Sequence, residues 1–454
     1  MKKSKFFAFL LIIVLAFTMA IVLSACDGNN DGNNQNDENN GSNQVVTEPV
    51  LSFSLINDDS YQLSKVVANA AKSITIPATY NEKPVTSIGE FAFYNCSKVA
   101  TITIPDSITT ICDGAFVGCS SVSELKLPET TATIGKGAFK DCKNLKNIVL
   151  PANLKELENS LFYNCSSLTT ISLPAGITKI GNNVFNGCAS VKNLRIPESV
   201  KSIGNNTFAN CSSLVNVTLP LALTTIEESL FYNCTSIEEV VIPEKVVNIG
   251  NKAFYNCKSL AEITIPNNVT KIGDYTFKDC AKLANLKMTT NITTIGERAF
   301  YGCDSIKQAT LPFIAISKIN KEKIEKVVLL NGEVIEQNMF KDCNYLAEIV
   351  LPNSIKQIRN SAFENCSKLI KITLPESITA IENRAFYSCS SLETITLPAQ
   401  VVTISDNLFN GCTSLKNIAM SDNITSIGAG AFRFCSSITD IKLPNNITTL
   451  REYI

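Results

Sequence analysis

Cysteine is the residue of this chain with the most chemistry to offer, whereas histidine is missing altogether. The 454 residues include 17 cysteines and no histidine. The lack of histidine excludes a Ser-His-Asp triad, a Cys-His nucleophile pair and any histidine-ligated metal site. Nucleotide binding has no support either, because neither GxGxxG nor GxxxxGK[ST] occurs. The sequence therefore predicts a protein that is not an enzyme and that holds no metal or cofactor.

All but two of the cysteines recur at one spacing. Consecutive members are 23 residues apart, except for a step of 40 residues between Cys303 and Cys343. The series comprises Cys96, Cys119, Cys142, Cys165, Cys188, Cys211, Cys234, Cys257, Cys280, Cys303, Cys343, Cys366, Cys389, Cys412 and Cys435. Cys26 and Cys112 stand outside it.

The spacing argues against a disulfide framework, although many cysteines in an exported protein normally suggest one. Repeat units stack about 4.8 Å apart, whereas a disulfide bond needs Cβ atoms about 3.5–4.5 Å apart. Thiols that all point in the same direction also cannot surround a zinc ion tetrahedrally. We expect a buried column of free thiols, with some disulfide bonds as the alternative. Cys112 is expected to be the most exposed thiol.

The residues around each cysteine repeat with it. With the cysteine as position zero, apolar residues occur at +3, +6, +8, +12, +15 and +20. The run 171–173 alternates between apolar and polar, which predicts a short half-buried strand that Pro174 ends. Ile177 and Ile180 bracket a second strand, and the following Gly181 predicts a turn with an open backbone. The closing AF-x-x-C predicts one helical or 3-10 turn.

One such unit cannot bury its own apolar face, so the fixed period predicts a solenoid of stacked coils. Stacking places equivalent residues above one another, so the phenylalanines at +20 should form one internal column. They are Phe93, Phe116, Phe139, Phe162, Phe185, Phe208, Phe231, Phe254, Phe277 and Phe300, continued by Phe340, Phe363, Phe386, Phe409 and Phe432.

Residues 1–26 are interpreted as a targeting segment. Three lysines precede an apolar run over residues 6–22, and LSAC ends at Cys26. This resembles a bacterial lipoprotein signal peptide with its lipobox, which implies cleavage before Cys26 and a diacylglycerol on its thiol. Alternatively, the apolar run remains as an anchoring helix, although about 17 residues is near the lower limit for a membrane span. Both interpretations place the rest of the chain outside the cytoplasm.

Residues 27–44 contain no apolar side chain and are predicted to be a disordered Asn/Asp/Gly-rich tether. Part of this segment matches the calcium-loop pattern D-x-[DN]-x-[DN]-G-x₅-E. We interpret the match as chance, because Asn34 stands where such a loop has an apolar anchor. The matching residues are Asp27, Asn29, Asp31, Gly32 and Glu38.

The remaining chain divides by its regularity. Residues 45–92 predict an N-terminal β-hairpin cap and a first irregular coil, and residues 93–303 predict regular repeats. Residues 304–342 keep strand positions but lack one AF-x-x-C, and are either a worn repeat or a bend or docking loop. Residues 343–454 resume the repeats and end in an incomplete coil. That coil leaves an open sheet edge that favours self-association, or the sequence is truncated.

The pattern C-x-S-L-x-x-I-x-L-P-x-x-I-T-x-I-G-x-x-A-F resembles the BspA-like, or treponemal-type, leucine-rich repeats of bacterial surface proteins. The resemblance covers roughly residues 51–454, including ITIPATYNEKPVTSIGEFAF at residues 74–93. It implies a leucine-rich-repeat solenoid: a curved, right-handed array of 23-residue coils with a parallel concave sheet, short second strands and helical or 3-10 turns. It also implies adhesion to proteins or cells.

The outward positions +5 and +7 of the first strands would form the concave ligand face. These two columns hold short polar residues and scattered charges of both signs, without an aromatic side chain. The candidate ligand-binding residues are Glu124, Lys126, Arg195, Glu239, Glu262 and Lys287. A plain solvated sheet surface is the alternative, and the tyrosines that follow the phenylalanines offer another edge. The latter are Tyr94, Tyr163, Tyr232, Tyr255, Tyr301 and Tyr387.

Charge is balanced, with 40 Lys+Arg against 41 Asp+Glu, so there is no electrostatic case for nucleic acid. We therefore predict a lipid-anchored, surface-exposed protein that binds protein partners on host or neighbouring cells. A structural or self-assembling element of the envelope and a glycan-binding module are the alternatives. The membrane contact would be the lipid on Cys26.

Overall fold

The computed structural model describes residues 48–453. The predicted signal peptide, Cys26 and the tether with its calcium-loop match lie outside these residues. The described chain opens with a hairpin whose strands, Val50–Ile56 and Ser60–Val67, pair antiparallel around Asn57. The second hairpin strand then pairs in parallel with Lys83–Ile88, which also pairs with the short Thr79–Tyr80. The hairpin therefore lies at the end of a sheet that is continued by the second strands of the following coils.

The predicted solenoid is confirmed: most coils contribute strands that pair in parallel with the equivalent strands of a neighbouring coil, such as Asn147–Val149 with Thr170–Ser172, although residues 239–241 form no strand. The first strands are Ser73–Thr75, Thr101–Thr103, Glu124–Lys126, Asn147–Val149, Thr170–Ser172, Asn193–Arg195, Asn216–Thr218, Glu262–Thr264, Asn285–Lys287, Gln308–Leu311, Lys326–Leu329, Glu348–Val350, Lys371–Ile372, Thr394–Thr396 and Asn417–Ala419. The middle residue of these strands points inward and its neighbours point to solvent, as alternation requires.

Two-residue second strands form the other side of the coils. They are Thr110–Ile111, Thr133–Ile134, Glu156–Leu157, Lys179–Ile180, Ser202–Ile203, Thr225–Ile226, Asn248–Ile249, Lys271–Ile272, Thr294–Ile295, Val334–Ile335, Gln357–Ile358, Ala380–Ile381, Thr403–Ile404, Ser426–Ile427 and Thr449–Leu450. Their second residue, such as Ile180 or Ile203, is buried, except for Leu450 in the last coil. Each coil therefore encloses apolar side chains from both strands and from its turn.

The phenylalanines form the predicted internal column. Neighbouring rings stack with centroids 4.9–5.9 Å apart. Most of the rings have no more than 1% of their surface exposed, and Phe432 in the last coil has 8%. The column is interrupted between Phe300 and Phe340, where the period of the sequence also fails.

The AF-x-x-C segment is neither an α-helix nor a 3-10 helix, contrary to our expectation. In the coil of Phe208, the backbone is left-handed at Asn206 and Asn210, with φ of 56° and 61°. Every second amide closes a tight turn within the coil. The amide of Ala209, for example, donates a hydrogen bond to the carbonyl of Asn206. The amides between them, on Asn206, Phe208 and Asn210, point out of the coil and donate to carbonyls of the next one. A helix would direct every amide along its own axis, so it cannot form this ladder.

The cysteine column is buried and free of disulfide bonds within residues 48–453, as expected; only Cys112 is partly exposed. The thiol of Cys211 donates to the carbonyl of Phe185, 3.1 Å away in the preceding coil. The same hydrogen bond from thiol to carbonyl recurs in the regular coils before and after the irregular segment. Burial raises the pKa of Cys142 and Cys211 to about 12 and keeps both thiols protonated. Cysteine thus serves as a small apolar residue with one weak donor.

The glycine after the second strand is explained by close packing between coils and not by the predicted turn. A Cβ atom on Gly181 would lie 2.8 Å from the amide nitrogen of Asn159, and one on Gly204 would lie 2.6 Å from that of Asn182. Successive coils therefore approach most closely here. Neither glycine has the positive φ that a left-handed turn would require.

One coil is shorter than the others. Gln308 pairs with Lys326, 18 positions later, whereas the regular pairing partner is 23 positions away. This short coil has no AF-x-x-C turn and contains a 3-10 helix, Phe313–Lys318. Ile324, Val327 and Leu329 are buried in strand positions, so the sheet of first strands runs through the short coil without a break.

Truncating one ring of the column should destabilise the fold strongly. We expect Phe208→Ala to lower the free energy of unfolding by about 3–5 kcal/mol, because it leaves a cavity between two stacked neighbours. Urea denaturation followed by circular dichroism measures the change. Phe434→Ala, at a side chain that is 64% exposed, is the matched control and should change stability little. Equal effects of the two substitutions would contradict the internal column.

Thiol labelling should separate Cys112 from the column. In a Cys26→Ser chain at mildly alkaline pH, we expect a maleimide to modify Cys112 alone, because burial blocks access to the column thiols and raises the pKa of thiols such as Cys142 and Cys211 to about 12. Adding Cys112→Ser should abolish labelling of the native protein, and urea should restore it at the column. Mass spectrometry counts the modified residues. Rapid labelling of column cysteines without denaturant would contradict the packing described above.

Candidate functional site

The six charged candidates all lie on the exposed surface of the first-strand side, which we call the strand face. Glu124 and Lys126 flank the inward residue of one strand, and Arg195 ends another. Glu262 and Lys287 also lie on strands, at positions +5 and +7 of neighbouring coils. Their side chains point to solvent, and none of the candidates forms an ion pair with another residue within 48–453.

The structure brings some candidates together and leaves others apart. Glu239 and Glu262 come from adjacent coils and line one shallow depression of 210 Å³. Val241 lies in the same depression with 70% of its surface exposed. Lys287 is paired in register with Thr264, one coil beyond Glu262. Arg195, two coils before Val241, and the pair Glu124 and Lys126 belong to earlier coils and do not reach this depression.

Sequence reasoning missed the charges that continue the same column beyond the irregular coil. Lys326, Glu348 and Lys371 follow Gln308 in register along the continuous sheet. The Lys326 Nζ lies 2.8 Å from the Glu348 Oε1. The signal was present, because Glu348 and Lys371 lie at +5 from Cys343 and Cys366. Lys326 has no cysteine before it in its coil and could be placed only by the structure.

The tyrosines that follow the phenylalanines lie on the outer surface of the turns, which we call the turn edge. The rings of Tyr232 and Tyr255 stack with centroids 5.0 Å apart. The Lys278 Nζ lies 4.9 Å from the Tyr255 centroid, donates to its hydroxyl at 3.1 Å, and lies 5.8 Å from the Tyr301 centroid. Tyr301 is 59% exposed. Aromatic side chains with cations are typical of binding hot spots, so the turn edge is a second candidate surface.

A buried carboxylate lies further along the turn edge. Glu364 accepts two hydrogen bonds from Arg384, at 3.1 and 3.0 Å, and lies 3.1 Å from the Lys341 Nζ. Mainly because of the bonds from Arg384, the pKa of Glu364 falls to about 2. Arg384 also stacks on Tyr387 at 3.9 Å. All three charges are satisfied within the protein, so this cluster holds adjacent coils together and offers little to a ligand.

The missing turn of the short coil leaves a gap in the turn edge, which we call the notch. One cavity of 670 Å³ lies between Phe300 and the segment 317–320, and Arg298, Tyr301 and Gly302 also line it. A second cavity, of 690 Å³, lies on the other side of the 3-10 helix and reaches Met339. The notch thus holds two recesses, one on either side of the 3-10 helix.

Neither a metal site nor a membrane-spanning helix is found in the described part of the chain. Residues 48–453 contain no group of three or more Cys, Asp or Glu side chains arranged to hold a metal ion. Over the same residues, no helix has the length and apolar character that crossing a membrane requires.

Solved structures of proteins from several bacteria are similar to this chain. A leucine-rich repeat protein of Bacteroides ovatus is 25% identical, with a TM-score of 0.49, over 90% of this chain and 99% of its own. A leucine-rich cell surface protein of Faecalibacterium prausnitzii is also 25% identical, with a TM-score of 0.36, over 87% and 97% of the two chains. A T. pallidum leucine-rich repeat protein is 28% identical, with a TM-score of 0.34, over 46% and 87%.

No curated protein is significantly similar to the chain. The family model described as the BspA type leucine rich repeat region matches residues 86–215, 201–327 and 333–454. These matches cover most of the solenoid and include the irregular coil, so the predicted resemblance is confirmed. The chain belongs to the family of BspA type leucine-rich-repeat proteins.

Proposed function

We propose that this protein is a lipid-anchored, non-catalytic surface protein whose solenoid binds protein partners on host or neighbouring cells. The observation that carries the proposal is the depression on the strand face formed by Glu239, Glu262 and Val241. An exposed apolar side chain beside carboxylates from two coils offers both a desolvated contact and charge selectivity. The flanking Arg195 and Lys287 extend the surface with the opposite charge.

The rigidity of the scaffold supports this role. The coil of Glu239 has no first strand of its own, but the turn ladder joins it to both neighbouring coils. Beside it, Glu262–Thr264 pairs in parallel with Asn285–Lys287, so side chains on the strand face keep a fixed register. A preorganised surface loses little conformational entropy when it binds. The core repeats almost unchanged from coil to coil, whereas the outward charges do not, and this difference is typical of a repeat protein that binds through its surface.

The lipid anchor is part of the same proposal. A diacylglycerol on Cys26 would attach the chain to the membrane, and residues 27–44 would hold the solenoid away from it. This arrangement would present the strand face and the turn edge to molecules outside the cell.

Protease shaving of intact cells tests the location and the anchor. We expect external protease to cut the native protein from whole cells, and the Cys26→Ser protein to be released into the medium, because it lacks the lipid. Immunoblots of cells and medium measure both effects, with a cytoplasmic protein as the control for lysis. If the solenoid resists protease until the envelope is opened, the protein is not on the surface, and the adhesion role is excluded.

Site-specific photo-crosslinking tests protein binding at the strand face. A photoreactive residue in place of Val241 should give a discrete adduct with another protein, whereas one in place of Val402, which is also exposed, should not. Glu239→Lys with Glu262→Lys should lower the adduct yield by about tenfold or more, as a loss of about 1.4 kcal/mol in binding would. Mass spectrometry identifies the adduct.

The matched control is Glu156→Lys, an exposed charge reversal on a second strand. An adduct that contains only a second copy of this chain would replace the adhesion proposal with self-assembly. The absence of any adduct specific to Val241 would contradict binding at the strand face.

A further inference from the structure

The ladder of hydrogen bonds along the turn edge is interrupted at the notch. In the preceding coil, the amides of Tyr275, Phe277 and Asp279 donate to the carbonyls of Glu297, Ala299 and Tyr301, at 2.8–2.9 Å. The corresponding amides of the next coil belong to Arg298, Phe300 and Gly302. These three amides have no hydrogen-bond acceptor within residues 48–453.

The opposite wall of the notch carries the complementary groups. By the same register, the carbonyls of Gln337, Met339 and Lys341 should accept bonds from the coil before them, but that coil has no turn. The Lys321 amine donates to the Met339 carbonyl instead. The Cys343 thiol also lacks the phenylalanine carbonyl that other column thiols use, and lies 3.9 Å from the Lys341 carbonyl. The notch therefore has donors on one wall and acceptors on the other, with segment 317–321 of the short coil lying between them.

The gap has the thickness of one strand of polypeptide. The coil between the two walls is present in the first-strand sheet but contains 18 residues in place of 23. Its 3-10 helix, Phe313–Lys318, stays inside the turn edge, with Ala315 and Ile316 buried. One coil rises about 4.8 Å along the solenoid, which is also the spacing of neighbouring strands in a sheet. One row of hydrogen-bonded main chain is thus missing from the ladder at the surface, whereas the apolar core beneath it is filled.

We propose that the notch binds an extended segment of a partner protein, whose main chain supplies the missing row. Donors on Arg298, Phe300 and Gly302 alternate along the chain, as do the carbonyls on one edge of an extended peptide. The cavity of 670 Å³ in front of them is open to solvent and offers room for such a segment. The inserted chain accepts hydrogen bonds from the amides of Arg298, Phe300 and Gly302 and lies between them and the segment 317–320.

The charges at the notch favour recognition of the main chain over recognition of net charge. Arg298 and Lys318 line the cavity, but so do Asp279 and Asp304. Arg298 lies 3.5 Å from Glu297, and Asp304 accepts a hydrogen bond from Asn320 at 3.0 Å. Since the signs balance, an anion alone gains little here. The exposed Tyr301 beside the cavity supplies an apolar contact for the bound segment.

This inference rests on the proposed function, because it names a mode by which the protein takes hold of a partner. Its test begins with the purified full-length protein and a phage-displayed library of short linear peptides. Ser317→Trp blocks the notch, since Ser317 is exposed and lines both cavities. Lys318→Trp is a second blocking variant at a neighbouring exposed position. Ser97→Trp, at an exposed serine far from the notch, is the matched control.

We expect peptides selected on the native protein to bind Ser97→Trp equally well and to lose at least tenfold in affinity for both blocking variants. Hydrogen exchange with mass spectrometry supplies the readout at the backbone. Bound peptide should slow exchange at Arg298, Phe300 and Gly302, and leave Tyr275, Phe277 and Asp279 unchanged. The proposal is overturned if no selected peptide loses affinity for the blocking variants. It is also overturned if the selected peptides leave the three amides unprotected.

A last comparison separates this inference from the proposed function. If the adduct formed at Val241 on cells persists in the Ser317→Trp protein and no selected peptide protects the notch, binding through the strand face stands and the notch proposal fails. If the protein gives no adduct while selected peptides still protect the three amides, the notch binds peptides and the strand-face proposal fails.

Discussion

The fold depends on an alternation in the direction of backbone amides at each AF-x-x-C turn. Two left-handed residues per turn, such as Asn206 and Asn210, make every second amide leave the coil. Those amides join the turn to the next one, while the strands join the other sides. Because unpaired buried amides are costly, this arrangement selects both the tight stacking distance and the residue types at the turn. The stacked phenylalanine rings and the thiol bonds then occupy the space that the ladder encloses.

Much of this architecture could be predicted from the sequence, because burial leaves a clear periodic pattern. The inward residues, such as Leu173 and Ile180, recur at fixed positions, and their alternation with polar residues predicted the strands. The turn geometry was predicted wrongly as helical, since AF-x-x-C looks like one apolar helical turn. Asn and Gly at the two left-handed positions were the available signal: these residues tolerate positive φ better than most others. Non-glycine residues such as Arg298 at the same positions obscured it.

The candidate site was harder to predict. The register placed Glu239 and Glu262 in one outward column and Val241 in the next, but only the structure shows that the three residues line one depression. The notch could not be deduced from apolar spacing, because its groups belong to the backbone. The step of 40 residues between Cys303 and Cys343 indicated an irregular coil. Whether the coil closed its hydrogen bonds elsewhere or left them unpaired depends on the path of the 3-10 helix.

The short coil also has a consequence for stability. In a one-dimensional array, stability is approximately a sum over nearest-neighbour interfaces. The interface between the coils of Phe300 and Phe340 has neither ring stacking nor a turn ladder, and retains the continuous sheet on one side only. We expect this interface to contribute less to stability than the regular ones, although the buried core runs through it. A segment bound in the notch would add hydrogen bonds at this interface, so that binding would be coupled to the stability of the solenoid.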